Sequence, residues 1–213
     1  EIDSGAVRDG DIARVLAGGR TFAERDGRTL VHMTRVGYRL DGAPGVVDPR
    51  GMAARRLTAD LHAVTADDAP VRNLLLAVER CHLTTTGLIA APYASAIAAT
   101  SAEERQLGVT AIDLGAGATT LAMFAEGHFL HTDALAIGGH HSTIDIARAL
   151  SAPLAESERI KALYGTLVGA RSDEHEPVTY PRAADDEETL STTTKAHVRE
   201  ILRPRVESLL GLL

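Results

Sequence analysis

Asp113-Leu114-Gly115-Ala116-Gly117-Ala118-Thr119-Thr120 is the segment whose residue types and spacing best suit chemistry. Apolar Val109, Ala111 and Ile112 read as a buried strand running into Asp113, and Leu121 to Phe124 reads as the strand that returns. Gly115 and Gly117 make a tight turn between them. Glycines let backbone N–H groups approach an anion with no Cβ in the way, and such a turn aims several of them at one point. Asp113, at the strand end, is placed to hold the waters of a phosphate-bound Mg²⁺. The chemistry would be phosphate binding. The same residues also suit an ordinary hairpin whose glycines serve only the turn, because short glycine patterns recur by chance.

Two other groups of reactive side chains carry less. His140-His141, with His128 and His131 nearby, invites a metal. His128 and His131 are three apart on a strand and face opposite sides. With no matching Cys or carboxylate set, a surface or helix-start role suits these histidines better than zinc. Cys81, the one cysteine, falls on an apolar helix end and reads as a small buried side chain rather than a nucleophile.

The elements that must position these residues follow from periodicity and turn chemistry. Asp9 to Ala17 reads as a short helix, with Ile12, Val15 and Leu16 on one face and Gly18-Gly19 stopping it. Val31 to Leu40 reads as a strand ending in the turn Asp41-Gly42, and Leu57, Ala59, Leu61 and Ala63 alternate in a second strand. Asp67 or Asp68 is placed to cap a helix with Pro70 in its first turn and Val71, Leu74, Leu75 and Val78 as its buried stripe. Residues 1 to about 85 thus read as a small α+β unit of their own.

Beyond it, Ile89-Ala90-Ala91 reads as a short strand and Tyr93 to Ala99 as a small-residue helix after Pro92. After the hairpin come a strand over Phe129 to Leu135, the pair Gly138-Gly139, and a helix to Leu150 with Ser142 as a candidate cap. Leu154 to Tyr164 is a further helix ended by Gly165. Ser172 to Thr194 is polar, acidic and proline-bearing, and reads as a long or poorly ordered loop. A last helix carries Val198, Leu202, Val206, Leu209 and Leu213 on one side, kinked or begun at Pro204.

Composition bounds the function classes. The 213 residues are 45% apolar and 24% charged, which is ordinary for a globular chain. A net charge of −7 argues against a nucleic-acid partner, whose phosphates need clustered Lys and Arg, and the scarcity of aromatics removes base-stacking platforms. A lone cysteine gives no disulfide framework, so a reducing cytoplasm is the natural home. No run approaches a membrane span and no signal peptide opens the chain. It begins at Glu1 and ends in Leu209-Leu210-Gly211-Leu212-Leu213, so a piece of a longer protein is expected.

Taken together, four segments resemble FtsA, the actin-like bacterial cell-division family. Gly45 to Met52 is close to that family's Gly-x-x-Asp-Pro-x-Gly-Met, and is followed by Arg56-Leu57, His62 and Val64-Thr65. Asn73-Leu74 leads through Val78-Glu79-Arg80-Cys81-His82-Leu83 to Pro92-Tyr93-Ala94-Ser95-Ala96. Leu107-Gly108 to Phe124, with Ile137-Gly138-Gly139, is similar to its second phosphate motif and following glycine pair. Ile160-Lys161 and Tyr164-Gly165 pair with Arg203-Pro204-Arg205-Val206-Glu207. The Asp48-Pro49-Arg50-Gly51-Met52 loop is the most family-specific element, and Thr166 to Thr194 is the weakest part of the match.

The resemblance implies an α/β fold of the actin-like (ribonuclease H-like) ATPase type, partial, with an inserted small α+β subdomain. Residues 1–85 would be that insertion, subdomain IC, which contacts a neighbouring protomer and other divisome proteins. Residues 86–107 would be the returning part of subdomain IA, and residues 108–150 would open subdomain IIA with the phosphate hairpin. Residues 151–213 would be subdomain IIB and the following helix.

It also implies a nucleotide site. Asp113 would lie near Mg²⁺ and the phosphates of ATP, with Gly115, Ala116, Gly117 and Thr119 supplying the turn. Gly138 and Gly139 would approach from the other side, and Glu158 and Lys161 would contact ribose and adenine. Glu158 and Lys161 equally suit a solvated helix ion pair. Many relatives carry Gly-Gly-Gly where this chain has Gly115-Ala116-Gly117, so a methyl group stands at the middle position. Arg205 would contact the C-terminal tail of the tubulin-like FtsZ, whose carboxylates suit a guanidinium; beside Glu207 it also suits a solvated ion pair.

The implied whole is a scaffold with at most slow ATP hydrolysis. It would polymerise like actin and link FtsZ filaments to the cytoplasmic face of the inner membrane at the division septum. Its first phosphate loop would precede these residues, and its adenine-closing segment and membrane helix would follow them, so half a cleft is expected to bind ATP weakly or not at all. Two other readings share the hairpin: a phosphotransferase or ATPase of the same superfamily, and the actin-like pilus scaffold PilM.

Overall fold

The computed structural model describes residues 1–2, 5–24, 27–183 and 190–213. It divides into two compact units, Glu1–Ile112 with Leu121–Asp133, and Asp113–Thr120 with Ala134–Leu213.

In the first unit, helix α1 (Asp9–Ala23) accompanies a sheet of order β2-β1-β3, built from β1 (Arg28–Leu40), β2 (Ala43–Val46) and β3 (Leu57–Asp67). β1 and β3 pair antiparallel along their length, with His32 opposite Val64 and Thr34 opposite His62. Asp41 adopts φ 50° in the turn after β1, and its carboxylate accepts from the amides of Arg55 and Arg56. Ile2, Val7, Ile12, Tyr38, Leu40, Ala54 and Leu57 form the core beneath α1.

Helix α1 does not stop at Gly18-Gly19 as its sequence suggests, but runs on to Ala23. A helical glycine costs about 1 kcal/mol relative to alanine, so the reason is tertiary. A Cβ on Gly19 would lie 2.2 Å from Leu61 Cδ1 of β3, so the helix crosses the sheet where only glycine leaves that side chain in place.

Helix α2 (Asp68–Arg80) follows β3, preceded by Asp67 in extended conformation and without a side-chain cap bond. Val71 is its buried residue, whereas Leu74 and Leu76 are exposed. Residues 83–90 are irregular, so the strand expected over Ile89-Ala90-Ala91 is absent, and Ala91 begins α3 (Ala91–Ala99). Cys81 is exposed, not buried, because it ends α2 on a turn rather than within its apolar face.

The short helix α4 (Ala102–Leu107) is secured by a reciprocal cap between Ser101 and Glu104. A second sheet, of order β4-β5-β6, contains β4 (Val109–Leu114), β5 (Thr119–Ala125) and β6 (His128–Leu135). Within the first unit, Ala96, Ala122, Phe124 and Phe129 form a cluster joined by Tyr93 and Val64.

The second unit packs α5 (Gly139–Leu150), α6 (Leu154–Tyr164) and α7 (Lys195–Leu212) with a hairpin of β7 (Pro177–Pro181) and β8 (Leu190–Thr194). Ile146 and Leu150, Ile160, Val178 and Tyr180, and Val198 and Leu202 supply its core, each pair at the period of its element. The stretch Ser172 to Thr194 is therefore not one long loop. It holds a 3-10 turn over Arg171–Glu174 and the two strands, while its residues 184–189 lie outside those described. Buried Asp173 fixes the turn by accepting from the Ala170 amide at 2.8 Å and from Arg199 at 2.7 Å. Pro204 lies inside α7 and does not begin it. Gly138, not Ser142, occupies the cap position of α5, and Ser142 is buried within the helix.

A candidate phosphate and nucleotide site

The loop Asp113–Thr120 and the start of α5 belong to one unit, and their backbones are locked together. Gly115 N donates to Ala118 O at 3.0 Å, closing the turn. The carbonyls of Gly115 and Ala116 then accept from the amides of Gly139 and His140 at 2.9 and 2.8 Å. These carbonyls satisfy two of the donors that the start of any helix leaves open. Gly138 and Gly139 thus meet the hairpin directly. A Cβ on Gly138 would stand 2.4 Å from Gly115 O and 2.6 Å from Ala116 O, a distance no side chain tolerates.

With its carbonyls engaged, the hairpin presents its tip. Ala116 and Gly117 are exposed, and their amides donate to no other described residue. The Ala116 methyl group is carried on that exposed tip. Asp113 is exposed at the end of β4. Thr119 differs from its neighbours: it is fully buried, and its hydroxyl donates to Ile137 O at 2.8 Å. Its side chain therefore ties the hairpin to the segment leading into α5 and does not face solvent.

Glu158 and Lys161 share one face of α6 and meet at 2.8 Å, but they are more than a surface pair. Lys161 Nζ also donates to Gly139 O at 3.1 Å and to Thr143 Oγ1 at 2.8 Å. The Thr143 hydroxyl in turn donates to Glu158 Oε2 at 2.5 Å. The Lys161 hydrogen bond, and then that of Thr143, holds the Glu158 carboxyl below the usual carboxylate range. The network connects Gly139, the first residue of α5, to one face of α6.

Arg205 is engaged. Its Nε and Nη2 donate to the two carboxylate oxygens of Asp145 on α5, at 2.7 and 3.0 Å. Glu207, its sequence neighbour, instead stands 3.9 Å from Arg203. Among the histidines, His141 Nδ1 accepts from Gly138 N at 3.1 Å in a capping role. No group of three His, Cys, Asp or Glu suited to a metal ion occurs among the described residues. No described helix is long and apolar enough to cross a membrane.

Sequence reasoning missed Thr143. A threonine four residues after a helix-start glycine signals at most a hydroxyl bonded back to that carbonyl. Its partnership with Glu158 and Lys161 exists only because α5 packs on α6.

The chemistry available is thus two amides at an exposed hairpin tip and an exposed carboxylate near the end of β4, with a further carboxylate bonded to an ammonium and a hydroxyl. Amides of this kind bind phosphate oxygens, and carboxylates of this kind hold Mg²⁺-bound water or accept from sugar hydroxyls.

Comparison with known proteins gives this arrangement a context. A family model described as "Cell division protein FtsA" matches residues 110–198, and one described as "SHS2 domain inserted in FTSA" matches residues 1–65. The cell division protein FtsA of Agrobacterium fabrum is 40% identical over 208 residues, 97% of this chain and 47% of that protein. FtsA of Escherichia coli is 30% identical over 207 residues, 97% of this chain and 49% of that protein. Among solved structures, a PilM–PilN type IV pilus biogenesis complex superposes with a TM-score of 0.58 at 18% identity, covering 94% of this chain and 48% of that one. MreB5 of Spiroplasma citri bound to ADP gives a TM-score of 0.53 at 20% identity, covering 66% of this chain and 45% of that one. These likenesses show the α/β fold of the actin-like ATPases.

Proposed function

Because the chain belongs to the FtsA family of cell-division proteins, we propose that it is the part of such a protein that binds the phosphates and ribose of ATP, joins an actin-like polymer and receives FtsZ. The chain spans about half the length of the curated relatives it matches. In this reading residues 1–85 are the inserted subdomain, which contacts a neighbouring protomer and other divisome proteins. Residues 86–107 return to subdomain IA, residues 108–150 open IIA, and residues 151–213 form IIB with the following helix, where Arg205 meets the FtsZ tail. The whole protein links FtsZ filaments to the cytoplasmic face of the inner membrane at the septum.

The observation that carries the nucleotide assignment is the exposed hairpin tip. The Ala116 and Gly117 amides have no acceptor among the described residues, and Asp113 stands exposed near the end of β4, just before that turn. These groups suit the phosphates, with Mg²⁺ held through water by Asp113, and the ion neutralises phosphate charge when bound. Gly138 and Gly139 contribute by holding the hairpin from behind, through the contact with Gly115 and Ala116. Thr119 contributes likewise, through the Ile137 carbonyl.

The test is an ATP titration of the protein at its natural length, with and without Mg²⁺, in the wild type and in Asp113→Asn. We expect Mg²⁺ to tighten wild-type binding, and the variant to lose that increment while keeping the Mg²⁺-free affinity. Absence of ATP binding, or an increment that survives in the variant, overturns the assignment.

A further inference from the structure

The network around Lys161 has a definite proton count. An ammonium carries three donors and no acceptor. Lys161 Nζ has three acceptors within reach: Gly139 O at 3.1 Å, Thr143 Oγ1 at 2.8 Å and Glu158 Oε2 at 2.8 Å. Every one of its protons is thereby directed into the protein. Thr143 is 1% exposed, and its hydroxyl accepts from Lys161, so its single proton goes elsewhere. The shortest contact, 2.5 Å to the charged Glu158 Oε2, takes it in preference to Gly139 O at 3.3 Å.

Glu158 is then asymmetric. Its Oε2 receives two charge-assisted hydrogen bonds, while its Oε1 receives none from the described residues, and the side chain is 55% exposed.

We propose that Thr143 is a positioning residue: with Lys161 it turns Glu158 Oε2 inward, so that Oε1 alone faces outward as the acceptor for a sugar hydroxyl, while Lys161 gives no proton to the ligand. The inference rests on the nucleotide reading above and deepens it. It assigns recognition of the ribose to one carboxylate oxygen, and it assigns the fixing of that oxygen to a buried hydroxyl outside the ligand's reach. A ligand without the hydroxyl forfeits the hydrogen bond to this carboxylate oxygen, which is where discrimination between ribose and deoxyribose would arise.

The experiment uses the protein at its natural length and compares ATP with 2′-deoxy-ATP and 3′-deoxy-ATP in the wild type, Thr143→Val and Thr143→Ser. Valine keeps the shape and removes the hydroxyl; serine restores it. In parallel, the Glu158 carboxyl is titrated by NMR without nucleotide.

We expect the wild type to favour ATP over at least one deoxy analogue by about tenfold, the worth of a hydrogen bond to a charged group. Valine should bring that ratio close to one and raise the Glu158 titration toward the ordinary carboxylate range, and serine should restore both. A wild type indifferent to both sugar hydroxyls overturns the assignment of Oε1 to ribose. A Glu158 titration or sugar preference that valine leaves unchanged overturns the role of Thr143, whatever the wild type binds. A Glu158 carboxyl that shifts in valine, in a protein that binds no nucleotide at all, overturns the nucleotide reading and the sugar assignment together while leaving the network as drawn.

Discussion

Arg205 and Asp145 form a two-pronged pair between α7 and α5, Nε to Oδ2 at 2.7 Å and Nη2 to Oδ1 at 3.0 Å. Burial opposes the guanidinium charge, but the Asp145 hydrogen bond outweighs it and raises the Arg205 pKa further. An Arg205 that receives a carboxylate-bearing peptide must therefore exchange one carboxylate for another.

That exchange sets the first prediction. Arg205→Ala should weaken binding of an FtsZ C-terminal tail peptide at least several-fold by fluorescence anisotropy. Asp145→Ala should bind it as tightly as the wild type or more tightly, since the internal competitor is gone. Equal weakening in both variants would instead make the pair a strut that shapes the surface.

The hairpin makes the second prediction through the paired fates of two glycines. Gly138→Ala drives a Cβ into two backbone carbonyls, so it should lower stability by about 1–3 kcal/mol, the range for overpacking, and weaken ATP binding. Gly117→Ala meets nothing within 4 Å among the described residues and needs no left-handed backbone, so its melting temperature should stay close to wild type. Differential scanning fluorimetry separates the two.

Acid sensitivity is the third. His32 packs on Tyr93 with ring centroids 4.3 Å apart, and His62 stands edge-on to Phe129 at 4.5 Å. His32 Nε2, His62 Nδ1 and the Thr34 hydroxyl are buried without hydrogen-bond partners among the described residues. Burial lowers both histidine pKa values below 6.5, with the charges of His131 and His32 adding to the effect on His62. The unfolded chain thus binds more protons than the folded one just below that pH. Stability is complete above about 6.5 and falls as pH drops through it. Urea midpoints at pH 7.5 and 5.5 should differ, and His62→Phe should reduce the difference.

A fourth prediction concerns a carboxylate with the opposite sign. The Ala170 amide holds Asp173 below its ordinary value of 3.8, against a smaller desolvation effect and with the charges of Lys195 and Arg199 assisting. Its contribution is present above that value and lost as pH falls further, toward the lowered folded value. Asp173→Asn should remove the charge, leave Arg199 and Lys195 without this partner, and lower the urea midpoint at neutral pH.

Periodicity and turn chemistry alone determined most elements. Alternation at Leu57, Ala59, Leu61 and Ala63 marks β3, and Asp41-Gly42 marks the turn after β1. The Ser101-to-Glu104 spacing carries the same kind of local signal, for the start of α4. The strand-glycine-glycine-strand pattern located the hairpin, and with it Asp113, Ala116 and Gly117. Each of these signals acts over a few residues, which is the range in which sequence order and spatial order coincide.

The tertiary structure decided whatever depends on what lies opposite. Helix α1 continues through Gly18-Gly19 because Leu61 of β3 fits against Gly19. The acidic stretch after Ser172 forms strands because β7 and β8 pair and Val178 and Tyr180 enter a core closed by α5, α6 and α7. Thr119 faces inward because Ile137 O meets it, and Thr143 joins Glu158 and Lys161 across fifteen and eighteen positions of sequence. A hydroxyl carries no sign of its partner until packing removes the water that would otherwise satisfy it.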